Sequence, residues 1–299
     1  MSTFKVNLSS FTKRLVETFR YFLTSSNERI VIGGYVHVYN NKVKHVNYGD
    51  DLTYYLLKEL TGSKIFHYEN LFFPNSRTHI LCIGSIIESW SNPHSVIWGS
   101  GLMYRDKPLL EKPKEVRAVR GPLTRKLLLD QGVRCPEVFG DPALLLPLIY
   151  EPVVRKKFRY GIIPHYIDWN NYKVEMLANN LENCKLINMA EYDHWQDLIN
   201  DINECECILS SSLHGLIISD AYKVPNVWIE FSDKILGNQF KYMDYFQSVK
   251  RNVTATVVVD SLDCIREFQK FETTYEDIEV NIDVLLKSAP FKIRKKFLQ

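Results

Sequence analysis

Short strand-like segments that end in glycine recur along the first half of the chain. The clearest of them are residues 79–84, 95–99 and 116–121. A helical stretch starts at Pro122 directly after the third segment, and proline suits the first position of a helix. Strands that alternate with helices favour a parallel sheet with helices on its faces. The chain is therefore predicted to have an α/β fold.

A second alternating series follows a break near residues 147–158, where two prolines and a basic run resemble a linker. Its predicted strands are residues 160–165, 185–189, 205–209 and 225–230. We therefore expect two Rossmann-like domains that face a cleft, with residues 1–150 in the first and residues 151–265 in the second. A helical tail is expected over residues 266–299.

The first 60 residues contribute two predicted helices with a strand between them, at residues 29–36. The first helix covers residues 11–25, where large apolar side chains recur at near-helical spacing. These side chains are Phe11, Leu15, Phe19 and Phe22. A turn at residues 47–51 leads into the second helix, which runs to about Leu60.

Composition limits the classes of function. The 299 residues include 37 basic and 35 acidic side chains, so no overall positive field indicates nucleic-acid binding. No apolar run reaches the roughly 18 residues of a membrane span, and the first residues lack the pattern of a signal peptide. Six scattered cysteines lack the spacing of zinc or redox motifs. We expect a cytoplasmic protein with reduced thiols and no metal site.

The most informative segment for function is residues 205–221, which reads as a strand, a serine-rich loop and a buried helix. Open α/β sheets bind ligands where strands end, and a helix N-terminus there offers N–H groups to an anion. His214 lies at this turn and can exchange a proton near neutral pH. Ser211 and Ser212 suit either phosphate contact or capping of the helix. The segment predicts a site for an anionic, phosphorylated substrate.

Four segments, at residues 47–52, 119–124, 140–145 and 211–215, form an ordered set with weaker companions at 98–101 and 162–166. Together they resemble the polysaccharide pyruvyl transferase family. The resemblance implies a two-domain fold like that of GT-B glycosyltransferases. It also implies that the pyruvyl group of phosphoenolpyruvate is transferred to a sugar, usually as a cyclic ketal, in bacterial surface polysaccharide synthesis. Several relatives carry arginine where this chain has Ser212.

Phosphoenolpyruvate carries a carboxylate and a phosphate, which the planar fork of an arginine binds well. Arg120, followed by Gly121 in a family motif, is the expected anion ligand; the alternative is an arginine paired with a nearby acid. His214, followed by Gly215, would deliver a proton to the methylene carbon or bind phosphate as an imidazolium. The alternative for His214 is a structural cap. Phosphoenolpyruvate is thus expected as donor substrate, with no cofactor.

Other candidates stay open between function and structure. Asp50, in the first turn of a helix, could take a proton from the acceptor hydroxyl, or could serve the helix dipole alone. His165 follows a strand at the expected carboxyl edge and could face the cleft. Trp98 could stack on a sugar, although core packing is the more frequent role of a tryptophan. Asp141 before Pro142 needs no function beyond capping.

The expected acceptor is a sugar or a lipid-linked oligosaccharide, read by residues 35–46 and 102–115. The basic residues 292–296 beside Phe291 and Phe297, together with the first helix, suggest peripheral membrane contact. We favour a solvated tail and a helix whose apolar stripe faces the core.

Two other functions stay open. A GT-B glycosyltransferase would use a nucleotide sugar, with Glu230 as the available ribose ligand. A non-catalytic member of a polysaccharide assembly complex would need neither Arg120 nor His214.

Overall fold

The computed structural model describes residues 2–237, 239–253 and 255–298, with side chains from residue 11 onward except that of Asn75. The helices in these residues are α1 (Ser2–Leu23), α2 (Tyr48–Thr61), α3 (Ile87–Trp90), α4 (Pro122–Asp130), α5 (Leu146–Ile149), α6 (Tyr172–Asn180), α7 (Asp197–Asn203), α8 (Leu213–Ala221), α9 (Phe240–Ser248), α10 (Cys264–Thr273) and α11 (Ile282–Lys287). The strands are β1 (Arg29–Ile32), β2 (His37–Tyr39), β3 (Lys42–Lys44), β4 (Lys64–His67), β5 (His79–Leu81), β6 (Ser95–Trp98), β7 (Glu115–Ala118), β8 (Phe158–Ile163), β9 (Cys184–Leu186), β10 (Cys205–Ser210), β11 (Asn226–Glu230) and β12 (Val257–Val258).

The first sheet has the strand order β4-β1-β5-β6-β7, and every neighbouring pair is parallel. Ranked by their order in the chain, its strands lie 2-1-3-4-5, which is a doubly wound order. In such a sheet the connections diverge next to the first strand, so a crevice opens beyond the ends of β1 and β5. The predicted parallel α/β fold is confirmed. The edge strand β4 was not predicted, because it is four residues long and is not followed by a glycine.

The second sheet repeats this arrangement with the order β12-β11-β10-β8-β9, again with parallel neighbours throughout. Its strands also rank 2-1-3-4-5, so its crevice lies beyond the ends of β8 and β10. The predicted strands at residues 160–165, 205–209 and 225–230 are confirmed within a few residues. Strands β2 and β3 form a separate antiparallel hairpin.

A continuous apolar cluster joins the two sheets. It includes Ile32 and Leu52 from the first half of the chain and Ile208 and Leu216 from the second. The start of α2 is also tied to the second half, because the backbone N–H of Tyr48 donates to the carbonyl of Met189 at 2.9 Å. The start of α2 is therefore held against the second half of the chain.

The described residues of the expected helical tail, 266–298, hold most of α10, the six-residue α11 and a short 3-10 turn, with irregular chain between them. The segment lies on the first half of the chain: Trp98 Nε1 donates to the carbonyl of Leu285 at 3.1 Å, and the N–H of Arg294 donates to the carbonyl of Leu60 at 2.9 Å. Phe291 packs edge-on against Trp98. The tail is therefore part of the packed structure.

Helix α1 faces opposite to the expected direction. Phe11, Leu15, Phe19 and Phe22 are all more than half exposed, whereas Glu17 is buried. The prediction that this apolar stripe faces the core is therefore wrong. A helical period fixes which residues share a face, but it does not fix which face meets the rest of the protein.

No helix in the described part of the chain is long and apolar enough to cross a membrane.

Candidate active site

A cavity of about 640 Å³ is lined by residues that follow strands of both sheets. Gly84 and Ser85, which follow β5, line it from the first sheet, and His165 and His214, which follow β8 and β10, line it from the second. The ends of parallel strands next to a topological switch point are where open α/β sheets bind ligands. The fold therefore places four polar or glycine positions from both sheets around one cavity.

His214 is the second residue of α8 and lines this cavity. Its Nδ1 packs directly on the backbone of α2, since a Cβ added to Gly49 would lie 1.9 Å from that atom. Its Nε2 is enclosed and has no hydrogen-bond partner among the described residues. Burial, together with the charges of Lys241 and Arg120, lowers the pKa of His214 to about 3. The imidazole is therefore neutral at pH 7, and its Nε2 is available for a hydrogen bond with a ligand.

Asp50 lies one residue after Gly49 and lines the same cavity. Burial raises the pKa of its carboxyl to about 7, against the opposing effect of a hydrogen bond from Asn47 Nδ2 at 2.9 Å. The charge of Asp51 raises it as well, and that of Lys241 lowers it. A carboxyl with this pKa holds a proton about half of the time at neutral pH, which suits proton transfer in either direction.

Lys241, on α9, is a cavity residue that the sequence did not reveal. Its side chain is 5% exposed, and no hydrogen bond from its Nζ to a described residue is present. Burial and the charge of Arg120 lower the pKa of Lys241 to about 8, while Asp50 raises it. The only sequence signal is a lysine in an aromatic-rich stretch, which is equally typical of a solvated helix face. The ammonium is charged at pH 7 and available to an anion.

His165 and Ser212 line the cavity, whereas Ser211 is not among the lining residues. Contact of His165 or Ser212 with a substrate stays a prediction. Burial, with Lys241 and His214 nearby, lowers the pKa of His165 to about 3. Ser212 is the N-cap residue of α8, and no capping bond from its side chain is seen. Ser211 is fully buried, and its Oγ accepts a hydrogen bond from the N–H of His165 at 2.8 Å. Ser211 thus positions His165 from outside the cavity.

Arg120 does not line the cavity. It is fully buried, and its Nε donates to Asp244 Oδ2 at 3.0 Å while one terminal nitrogen donates to the carbonyl of Leu102 at 2.7 Å. The other terminal nitrogen donates to the hydroxyl of Ser85 on the cavity wall. Arg120 is therefore paired with an acid, Asp244, as in the alternative considered above, but this ion pair lies in the protein interior. Direct contact of Arg120 with a ligand stays a prediction that this arrangement does not favour.

The motif glycines serve close packing in this structure. A Cβ at Gly121 would lie 1.9 Å from the carbonyl oxygen of Asp244, and one at Gly215 would lie 2.3 Å from Ser210 Oγ. A Cβ at Gly101 would lie 2.3 Å from Arg120 Cζ, so this glycine makes room for the guanidinium. None of the three is among the cavity-lining residues.

Two structural alternatives are confirmed at other motif residues. Trp98 is fully buried and its Nε1 is hydrogen-bonded, so its indole packs in the core instead of presenting a face to a sugar. Asp141 accepts a hydrogen bond from the N–H of Ala143 at 2.9 Å and caps the 3-10 turn that follows. Glu230 lines a different surface depression, together with Asp168.

The two segments expected to choose the acceptor both reach the cavity. Tyr35 and Val46 line it from one segment, and Met103, Tyr104 and Lys107 line it from the other. Tyr35 is half exposed and packs edge-on against Trp90 at the rim. Their role in acceptor choice stays a prediction. Within the described residues, no group of three or more His, Cys, Asp or Glu side chains is arranged to hold a metal ion.

Comparison with known proteins gives one family and two relatives. The family model for polysaccharide pyruvyl transferase matches residues 30–233. An uncharacterized protein, L143 of Acanthamoeba polyphaga mimivirus, is 30% identical over 217 residues, which cover 71% of this chain and 72% of that protein. The succinoglycan biosynthesis protein ExoV of Rhizobium meliloti (strain 1021) is 29% identical over 214 residues, which cover 69% of this chain and 62% of that protein. Lys241 lies outside the family match.

Proposed function

Because the chain belongs to the polysaccharide pyruvyl transferase family, we propose that it is a pyruvyltransferase of polysaccharide biosynthesis that uses phosphoenolpyruvate as donor and a sugar as acceptor. The observation that carries this proposal is the grouping of Asp50, His165, His214 and Lys241 around one cavity. Within our proposal, the two doubly wound sheets are the cores of two GT-B-like domains, and this cavity is the cleft between them.

The donor would bind through its anionic groups. Lys241 supplies a buried positive charge, and the N-terminus of α8 directs backbone N–H groups at the same space. A phosphate or carboxylate next to His214 offsets the charge of Lys241, which is one cause of the low pKa of that imidazole. Donor binding would therefore raise the pKa of His214 and favour the imidazolium, so that the proton arrives together with the substrate.

The proposed reaction balances with these groups. His214 gives its proton to the methylene carbon of phosphoenolpyruvate, and the first sugar hydroxyl adds to the neighbouring carbon while Asp50 takes the hydroxyl proton. The second hydroxyl then closes the ring as the bond from carbon to the phosphate oxygen breaks. The products are a cyclic ketal that carries a methyl and a carboxylate, and inorganic phosphate with the remaining proton. General acid–base catalysis of each step requires only pKa values near the working pH.

We expect saturable binding of phosphoenolpyruvate in calorimetric titration of the purified protein. The Lys241→Met variant is expected to bind about tenfold more weakly or worse, because a hydrogen bond to a charged group contributes about 1.5–3 kcal/mol. Lys107→Met is the matched control, since Lys107 is exposed at the rim of the same cavity. Binding of a UDP- or CMP-sugar in place of phosphoenolpyruvate would refute the proposed donor and favour the glycosyltransferase.

The pH dependence of kcat/KM is expected to be bell-shaped. The carboxylate of Asp50 is needed to take a proton, so activity rises with pH through about 7; the ammonium of Lys241 is needed to hold the donor, so activity falls through about 8. In Lys241→Met the alkaline limb disappears. The acid limb moves to higher pH, because the charge of Lys241 lowers the pKa of Asp50. An unchanged alkaline limb in this variant would show that another group titrates there.

A further inference from the structure

The outward face of α1 is a continuous apolar surface. Six side chains with exposed fractions between 40 and 71% form it: Phe11, Leu15, Val16, Phe19, Phe22 and Leu23. At 3.6 residues per turn these positions fall within an arc of about 140° around the helix axis. A monomeric soluble protein seldom exposes so many large apolar groups side by side, so we expect this surface to bind a partner.

The opposite face of α1 is what attaches the helix to the protein. Glu17 is buried and accepts a hydrogen bond from the N–H of Asn40 at 2.9 Å. Tyr21 packs edge-on against Phe66, and the guanidinium of Arg29 lies 3.8 Å from the centre of the Tyr21 ring. At the edge of the apolar face Phe11 contacts Phe72, and the guanidinium of Arg77 lies 5.2 Å from the centre of the Phe22 ring. Both aromatic side chains of α1 nevertheless stay more than half exposed. Most of the apolar face is therefore accessible while the fold is intact.

The charges next to the apolar face are positive. Lys13 and Arg14 are exposed, and at 100° per residue they flank the apolar arc on its two sides, one beyond each edge. The acid Glu17 is buried in an ion pair with Arg20. An apolar face with a cationic border is the pattern of a helix that lies in the surface of an anionic membrane. A second copy of the chain would instead bring two cationic borders together, which disfavours self-association through this face.

We propose that α1 docks on an anionic lipid surface, with its apolar face inserted at the level of the headgroups. The hairpin of β2 and β3 would then be held near that surface, because Asn40 at its turn is bonded to Glu17. The chain on either side of the hairpin reaches the candidate active site through Tyr35 and Val46. Docking would thus bring one wall of the cavity to the membrane. The basic tail does not take part, because Phe291 and Phe297 pack against the core.

The test is co-sedimentation of the purified protein with vesicles of phosphatidylglycerol and phosphatidylcholine in equal parts. The double variant Phe19→Ser, Phe22→Ser is expected to lower the partition coefficient by about 100-fold, because burial of one phenylalanine side chain contributes roughly tenfold or more. The matched control is Leu110→Ser, Val153→Ser, which removes two exposed apolar side chains elsewhere. Lys13→Glu, Arg14→Glu is expected to abolish the preference for phosphatidylglycerol over pure phosphatidylcholine vesicles.

The thermal unfolding of all three double variants should match that of the wild type, since every substituted side chain is exposed. Absence of vesicle binding by the wild type would overturn the proposal, as would equal binding by Phe19→Ser, Phe22→Ser. A wild-type dimer that this variant converts to a monomer, without any vesicle binding, would assign the face to self-association instead. This test does not measure binding of phosphoenolpyruvate, so the proposed membrane docking and the proposed enzymatic function can be refuted independently of each other.

Discussion

Replacement of His214 by glutamine is expected to lower kcat by about 10²–10⁴-fold, the usual contribution of a general acid or base. The reason lies in its surroundings: Nε2 is enclosed without a hydrogen-bond partner among the residues that the structure describes, and Nδ1 packs on Gly49. Glutamine fills similar space and can donate a hydrogen bond, but it cannot deliver a proton. Release of phosphate from phosphoenolpyruvate in the presence of a sugar acceptor measures the effect. His194→Gln, at an exposed histidine outside the cavity, is the matched control.

Gly49→Ala provides an independent check of the same geometry. A Cβ there would meet His214 Nδ1 at 1.9 Å, so the ring must move although the imidazole is retained. Alanine is the better helix former, so loss of the helix cannot explain a loss of activity. We expect a fall in kcat in this variant, measured well below its unfolding temperature, because overpacking at a buried position also costs about 1–3 kcal/mol of stability. Full activity in both His214→Gln and Gly49→Ala would remove His214 from the mechanism.

Replacement of Arg120 by methionine is expected to lower the free energy of unfolding by about 3–5 kcal/mol, because it leaves a buried charge without its partner. That charge is Asp244, which is fully buried and also accepts hydrogen bonds from the N–H and hydroxyl of Thr124 at 2.8 and 2.7 Å. Asp244 thereby joins the start of α4 to α9. Since Lys241 lies one turn before Asp244 on α9, loss of the ion pair should also disturb the cavity. Urea denaturation measures the stability.

Arg117, on β7 and three residues before Arg120, offers a matched control. It pairs with Glu115 on the surface and is about half exposed, so Arg117→Met is expected to change stability by less than about 0.5 kcal/mol. The contrast between Arg117 and Arg120 tests whether the interior ion pair is the main role of Arg120. An Arg120→Met variant that is as stable as Arg117→Met, but no longer binds phosphoenolpyruvate, would instead support the direct anion contact expected from the sequence.

The residues that set the cavity's electrostatics come from four separate parts of the chain. Asp50 and Lys241 are 191 positions apart, yet the charge of each opposes the pKa shift that burial causes in the other, and both line a cavity that His165 and His214 also line. The motif that contains His214 could be predicted from the sequence because its strand, loop and helix follow one another along the chain. The burial of Lys241 could not be predicted, because it depends on where α9 packs.

The sequence by itself determined the parallel α/β class, most strand positions and the turn that carries His214, because these depend on local periodicity and on the placing of glycine and proline. Only the tertiary structure decided which way each side chain faces. Arg120 points into an interior ion pair, Lys241 into the cavity and the apolar stripe of α1 away from the core. Each orientation depends on whether a segment far away in the chain packs against that side chain. A local sequence pattern carries no information about such distant segments.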